Sequence, residues 1–246
     1  MKVVFGDAKL LRGILVAVST VVDEVTLKAD SEGIGVRALD MAEVSMVDLM
    51  MPKSSFDAYE VSEGERIAFR ISDVVKLLRS TVPNEKVRIE PHENQLWFYL
   101  TGTFTRSFGV PIFGGEAKDL PLPKVNLRSS FSVPITVMDQ LVENGRHIAD
   151  SVRIEAKENG VTLSVKGEIS SFTVELLPED GTLKDYKLVS GSAVSYDLGR
   201  LQKIISALGF SESIRISYDT DLPLHINSSM DSKGEISYFI APKVER

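Results

Sequence analysis

The sequence predicts an α+β protein made of two copies of one antiparallel unit, each carrying two short helices. Three observations predict it: a single offset of 127 positions that superposes one half of the chain on the other, apolar stripes at helical spacing, and turn residues at matched places. Residues 1–100 and 128–226 align at this offset without a gap. Val25 falls on Val152, Gly33 on Gly160, Phe69 on Tyr196, Lys76 on Lys203 and Arg88 on Arg215, while Val87 and Ile89 match Ile214 and Ile216.

Each copy reads strand, helix, strands, helix, strands. After a strand-like Lys2 to Phe5, the residues Leu10, Leu11, Ile14, Leu15, Val18 and Val21 recur at helical spacing, and Asp7 can cap the amino end, so a helix is expected over about 8–22. Its partner in the second copy carries Val137, Met138, Leu141, Val142 and Ile148, with Pro134 near the start, where proline is tolerated. A hairpin follows each: Glu24 to Ala29 turning at 30–33, and Ser151 to Ala156 turning at 157–160, where Asn159-Gly160 is a strong turn signal. Second helices are expected over about 72–80, burying Val74, Val75, Leu77 and Leu78, and about 197–208, burying Leu198, Leu201, Ile204, Ile205 and Leu208. Both lead into alternating strands, Lys86 to Glu90 and Ser213 to Tyr218. The boundaries that follow are a domain over 1–114, a connecting loop over 115–128 and a second domain over 129–246. Pro121 and Pro123 hold the connector extended, and Leu120, Leu122, Val125 and Leu127 make it apolar enough to pack on a surface.

With 246 residues, 43 % of them hydrophobic, the chain has enough apolar side chains for two ordinary cores. It has no cysteine, which excludes disulfides, thiolate metal sites and a cysteine nucleophile. Met1 leads into a strand without a basic leader or apolar core, and no apolar run reaches membrane-spanning length, so a soluble intracellular protein is expected. On that expectation the glycosylation-type match Asn227-Ser228-Ser229 is a chance one.

Catalytic chemistry is poorly represented. His92, His147 and His225 lie far apart, without ligand spacing. The run Gly33-Ile34-Gly35-Val36-Arg37-Ala38 imitates a dinucleotide fingerprint but continues as strand, where that chemistry needs a helix. Neither a phosphate loop nor a nucleophile elbow is present. Asp219 and Asp221 are the best candidates for metal ligands, and a DNA-processing enzyme built on them is one alternative reading.

The polar faces of the helices say more. Net charge is −7, yet Lys9 and Arg12, Lys76 and Arg79, and Arg200 and Lys203 each lie three apart opposite an apolar stripe. Three helices of four therefore present a basic outer face; the third carries Asp139, Gln140 and Glu143 instead. Ordinary solubilising charge explains any one pair, but recurrence at matched positions in an acidic chain points to a polyanion.

The segment Leu39-Asp40-Met41-Ala42-Glu43-Val44-Ser45-Met46-Val47-Asp48-Leu49, the turn Asp221-Leu222-Pro223-Leu224 and the run Tyr238-Phe239-Ile240-Ala241-Pro242-Lys243-Val244-Glu245 resemble the proliferating cell nuclear antigen family of DNA sliding clamps over essentially the whole chain. The end at Arg246, without a longer acidic tail, is closer to archaeal members. The resemblance implies the DNA-clamp (processivity) fold and a pseudo-six-fold trimeric ring, a homotrimer or a heterotrimer with paralogues, that is not an enzyme and needs no cofactor or metal. It implies sequence-independent contact with double-stranded DNA through Lys9, Arg12, Lys76, Arg79, Arg200 and Lys203, with Arg146 at the edge of the acidic helix. Strands near Thr103 to Ile112 and Glu168 to Leu177 would pair between subunits. It further implies loading by a clamp loader and docking of DNA polymerase, flap endonuclease and DNA ligase through interaction peptides. The pocket for those peptides would be formed by Leu39, Val44, Met46, Leu120, Leu122, Pro123, Leu127, Pro223, Phe239, Ala241 and Pro242, although Leu39 and Val44 suit an interdomain core as well. Arg128 and Asp197 would stand near it. A checkpoint-type or scaffold clamp without a polymerase role shares the fold. The location implied is the cytoplasm, at the nucleoid, for an archaeal protein and the nucleus for a eukaryotic one.

Overall fold

The computed structural model describes residues 1–114 and 119–243; connector positions 115–118 and the end of the terminal run, including Val244 and Glu245, lie outside the described residues. Two compact units result, Met1–Pro121 with Ser229–Ile236, and Leu122–Ser228 with Ser237–Arg246.

The first unit runs β1 (Lys2–Phe5), α1 (Ala8–Ser19), β2 (Glu24–Ala29), β3 (Gly33–Leu39), β4 (Ser45–Pro52), β5 (Ala58–Glu60), β6 (Glu65–Arg70), α2 (Ile71–Leu77), β7 (Lys86–His92), β8 (Gln95–Thr101) and β9 (Thr105–Pro111). The second runs β10 (Ser129–Pro134), α3 (Ile135–Gly145), β11 (Ser151–Lys157), β12 (Gly160–Lys166), β13 (Ser171–Leu176), β14 (Lys184–Lys187), β15 (Ala193–Asp197), α4 (Leu198–Ala207) and β16 (Ser213–Tyr218), then β17 (Leu224–Ser229) and β18 (Glu235–Ile240). Corresponding elements start at residues 8 and 135, 24 and 151, 33 and 160, 71 and 198, and 86 and 213, so the spacing of 127 is a property of the fold.

The α+β architecture expected for each copy is the one adopted, with a refinement: the strands of each unit divide into two antiparallel groups. In the first unit the orders are β5-β1-β7-β8-β9 and β4-β3-β2-β6; in the second they are β13-β12-β11-β15 and β14-β10-β16-β17-β18. Helices α1 and α2 lie side by side in the first unit, and α3 and α4 in the second. Gly33 and Gly160 recur for a physical reason. A Cβ on either would come within 2.2 Å of a carbonyl of the adjoining strand, Met51 O or Leu176 O. The fingerprint-like Gly33-Ile34-Gly35 is strand, as read from the sequence.

Helix ends differ from expectation. Asp7 Oδ1 does accept from Leu10 N–H at 2.8 Å. The helix nevertheless stops at Ser19, not near 22, because the Ser19 and Thr20 hydroxyls bond back to Val16 O and Ala17 O at 2.7 Å and the β-branched Val21 and Val22 follow. In α3 the stripe is Ile135, Met138, Leu141 and Val142; Val137 is half-buried and Ile148 lies beyond the helix. α2 is only seven residues long and tightens into a 3-10 turn over Leu78–Ser80, which rotates the buried set to Ile71, Val74 and Leu78. Leu77, expected inside, is 43 % exposed, and Val75 is half-buried. We therefore expect Leu78→Ala to cost about 3 kcal/mol in denaturant unfolding and Leu77→Ala less than about 0.5 kcal/mol. The second copy follows expectation: Asp197 caps α4 by accepting from Arg200 N–H at 2.7 Å, and Leu198, Leu201, Ile204, Ile205 and Leu208 are buried. No helix among the described residues is long and apolar enough to cross a membrane.

Candidate nucleic-acid interface

The apolar stripes that seat the four helices turn the intervening residues outward. In the first unit Lys9, Lys76 and Arg79 are exposed and Arg12 is half-buried, its Nε shielded and without a hydrogen bond. Lys76 lies 3.8 Å from Asp73 on the same helix, a loose pairing in solvent. In the second unit Lys203 is exposed, Arg200 is half-buried, and Arg146, just past the end of α3, is drawn to Glu143 at 3.0 Å. The structure thus places Lys9 and Arg12 on α1, Lys76 on α2 and Arg79 in the 3-10 turn after it in the first unit, and Arg200 and Lys203 on α4 with Arg146 just past α3 in the second.

The offset also identifies what interrupts the basic face: Asp139 occupies in α3 the place that Arg12 occupies in α1. Burial, and then the neighbouring Glu143, hold the Asp139 carboxyl above the ordinary carboxylate range.

The residues expected to receive partner peptides fall into two groups, each within its own unit. In the first, Leu39 and Val44 are half-buried and Met46 is buried at the two ends of the β3–β4 loop. Asp40 Oδ1 braces that loop by accepting from Val44 N–H at 2.8 Å and Ser45 N–H at 3.0 Å. Met41, at its tip, is fully exposed. Leu120 is half-buried, and its carbonyl accepts from Arg37 Nη1 at 3.0 Å. In the second, Leu122 is 40 % exposed, while Pro123, Leu127, Pro223, Phe239, Ala241 and Pro242 are half-buried. Phe239 stacks on His225, with ring centres 4.4 Å apart. Lys243, past the end of β18, is held by its N–H donating to Ser195 O at 2.8 Å and its Nζ pairing with Asp150 Oδ1 at 2.6 Å.

Asp219, the first of the two candidate metal ligands, is already engaged by an arginine. Asp219 is buried and gripped by both Nε and Nη2 of Arg128, the latter at 2.9 Å, which holds its carboxyl below the ordinary range. Asp221 is at a turn with φ of 58°, and the described residues contain no group of three or more ligands able to hold a metal. Arg128 and Asp197, placed by the resemblance near the peptide pocket, are committed to that ion pair and to capping α4. Sequence reasoning missed the role of Lys28, Arg66 and Asp119, which join across three segments; the connector's acid was visible, but its partners depend on strand register.

Two tandem α+β units, three of whose four helices turn lysine or arginine outward, form a duplicated clamp fold. Family models describe both halves: the proliferating cell nuclear antigen N-terminal domain matches residues 1–104 and the C-terminal domain residues 121–243. The chain belongs to the proliferating cell nuclear antigen family. The DNA polymerase sliding clamp of Thermofilum pendens is 29 % identical over 250 aligned positions, covering all of both chains, and that of Pyrococcus abyssi is 28 % identical, covering 99 % and 98 %. Among solved structures, proliferating cell nuclear antigen from Thermococcus kodakaraensis superposes with a TM-score of 0.93 at 24 % identity, covering 98 % of this chain and 99 % of that one. A chain of the PCNA2–PCNA3 complex from Sulfolobus tokodaii superposes at 0.90 with 23 % identity and complete coverage of both.

Proposed function

We infer that this chain is a subunit of a DNA sliding clamp: a non-catalytic ring, made with copies of itself or with paralogues, that surrounds duplex DNA and docks replication and repair enzymes. The observation that carries the reading is the recurrence of Lys76 and Lys203 at one repeat position on outward helix faces of an acidic chain that belongs to this family. A ring holds DNA by topology and needs only weak phosphate contacts that allow sliding. Lys9, Arg12, Lys76, Arg79, Arg146, Arg200 and Lys203 are the residues assigned to that contact. The archaeal relatives support a cytoplasmic, nucleoid-associated protein. The domain limits that suit this role are 1–114, 115–128 and 129–246.

Strand edges support closure of the ring. β5 has three residues, β14 carries Lys184 and Lys187 beside a register shift, β6 is bridged by Phe113, and β15 is bonded by Lys243 N–H. Such features blunt edges. β9 and β13, by contrast, are seven and six residues long with unbroken register to their neighbours, and half-expose Phe108, Phe172 and Val174. Phe104 at 65 % and Ile169 at 99 % exposure lie beside them. These two edges are assigned to the subunit contact.

The deciding experiment is retention: loaded protein should stay on closed circular DNA, leave when the circle is cut, and raise polymerase processivity on a primed circle. Equal loss from cut and uncut circles would defeat the ring reading. Salt titration of DNA binding tests the surface. Lys203→Ala is expected to lower the log–log slope by about 0.9 for each copy of this chain that contacts phosphate, and Arg146→Ala by less, since Glu143 already pairs with it. The residues Leu39, Val44, Met46, Leu120, Leu122, Pro123, Leu127, Pro223, Phe239, Ala241 and Pro242 are assigned to the docking of interaction peptides, an apolar anchor set in a groove. Clamp loader, polymerase, flap endonuclease and ligase are the partners proposed.

A further inference from the structure

Three adjacent strands of the first unit hold the start of the connector by charge. Lys28 on β2 and Arg66 on β6 are direct cross-strand partners, so two like charges stand opposite each other on one face. That arrangement is unfavourable unless an anion lies between them. Asp119 supplies it: its carboxylate accepts from Lys28 Nζ and, with each oxygen at 3.2 Å, from Arg66 Nη2. The next residue is held too. Arg37 on β3 is clamped by its cross-strand partner Asp48, through Nε at 2.7 Å and Nη2 at 3.2 Å, which leaves Nη1 aimed at Leu120 O at 3.0 Å.

We propose that Lys28 and Arg66 form a carboxylate receptor occupied by Asp119, and that this ionic latch positions Leu120 for peptide docking. The second half rests on the reading of Leu120 as a docking residue; the first does not. Asp119 touches no partner peptide in this scheme and acts as a positioning residue, through the backbone of Leu120. Its carboxyl is held below the ordinary range by Lys28 first and Arg66 next, as a shared counter-ion requires. Asp119 is 70 % exposed, so the latch is open to screening by salt.

The test uses the full-length assembled protein. Hydrogen exchange of the Asp119 and Leu120 amides is measured together with affinity for a synthetic peptide carrying one helical turn and an aromatic anchor. Asp119→Ala is expected to speed exchange and weaken the peptide by about fivefold, the worth of a small exposed charge network. Asp119→Glu should recover most of both. Asp119→Lys combined with Lys28→Glu and Arg66→Glu should recover them by reversing every charge. Raising salt to about 0.5 M should reproduce the alanine effect in the wild type and add nothing to the alanine variant. Unchanged exchange in Asp119→Ala, or accelerated exchange that neither Glu nor the reversed triple restores, overturns the latch. Faster exchange with unchanged peptide affinity overturns the positioning role. If wild type itself takes up no peptide, the docking reading fails and the positioning role with it, while exchange alone still decides the latch.

Discussion

On the proposed ring, if its subunits are identical, Val174→Lys is expected to leave only the 27.1 kDa single chain in light scattering. Val174 is half-exposed at the middle of β13, paired with Leu163 on one side and open on the other. A lysine there costs its own fold little, because the side chain can reach solvent from an edge. In a strand-to-strand contact the same ammonium is desolvated without a partner, at about 2–3 kcal/mol per interface and so more than tenfold in each association constant. Tyr186→Lys is the matching control. Tyr186 is on β14, an edge already carrying two lysines, and its replacement should leave the mass unchanged. Assembly that survives Val174→Lys but not Tyr186→Lys would assign the contact to the wrong edge.

Arg106→Ala is expected to destabilise the chain by about 2 kcal/mol at neutral pH. Glu85 is 3 % exposed and is met by both arms of the Arg106 guanidinium, at 2.5 and 2.9 Å, while Val82 N–H donates to it at 3.0 Å. Removing the arginine leaves a shielded carboxylate with one backbone donor. The figure is below that for a deeply buried pair because Arg106 itself is about a quarter exposed, at 26 %. Arg106, more than burial, determines the titration, holding the Glu85 carboxyl below its ordinary value of 4.5. A carboxylate depressed in the folded state stabilises above the unfolded-state value, and its contribution is lost as pH falls through the folded-state value. Wild type and variant should therefore differ most near pH 7 and converge in acid, as pH falls below the ordinary value of 4.5 and through the lower folded-state value. A constant difference in urea midpoint across that range would mean that the arginine contributes packing and not charge.

Period and turn chemistry made the backbone legible. The match of Gly33 to Gly160 and of Lys76 to Lys203 survives unchanged in the structure because hairpin and helix phase are local properties, set within a few residues. The end of α1 was less legible, since Ser19 and Thr20 can continue a helix or bond back to it, and nearby packing decides which. Leu77 and Leu78 are chemically the same residue to a periodicity argument; the 3-10 turn that separates them depends on the short α2 meeting its neighbours. The basic residues of the candidate surface could be listed from helix phase alone. The Asp119 latch could not, because Lys28 and Arg66 become neighbours only through the register of β2 with β6. Asp219 gave the opposite lesson: an acid that suggested chemistry is the buried half of an ion pair with Arg128.

Arg12 and Asp139 share one site of the repeat, and that pairing has a mechanical meaning. The stripe that seats each helix is apolar in both copies, so the outward residue changed sign without disturbing what holds the helix down. On the DNA contact proposed above, phosphates would meet Lys9, Arg12, Lys76 and Arg79 at the first copy, and at the second Arg146, Arg200 and Lys203 with an acid set among them. On that reading the alternation would act on friction more than on affinity, because a track interrupted by an acid is less adhesive than a continuous basic one.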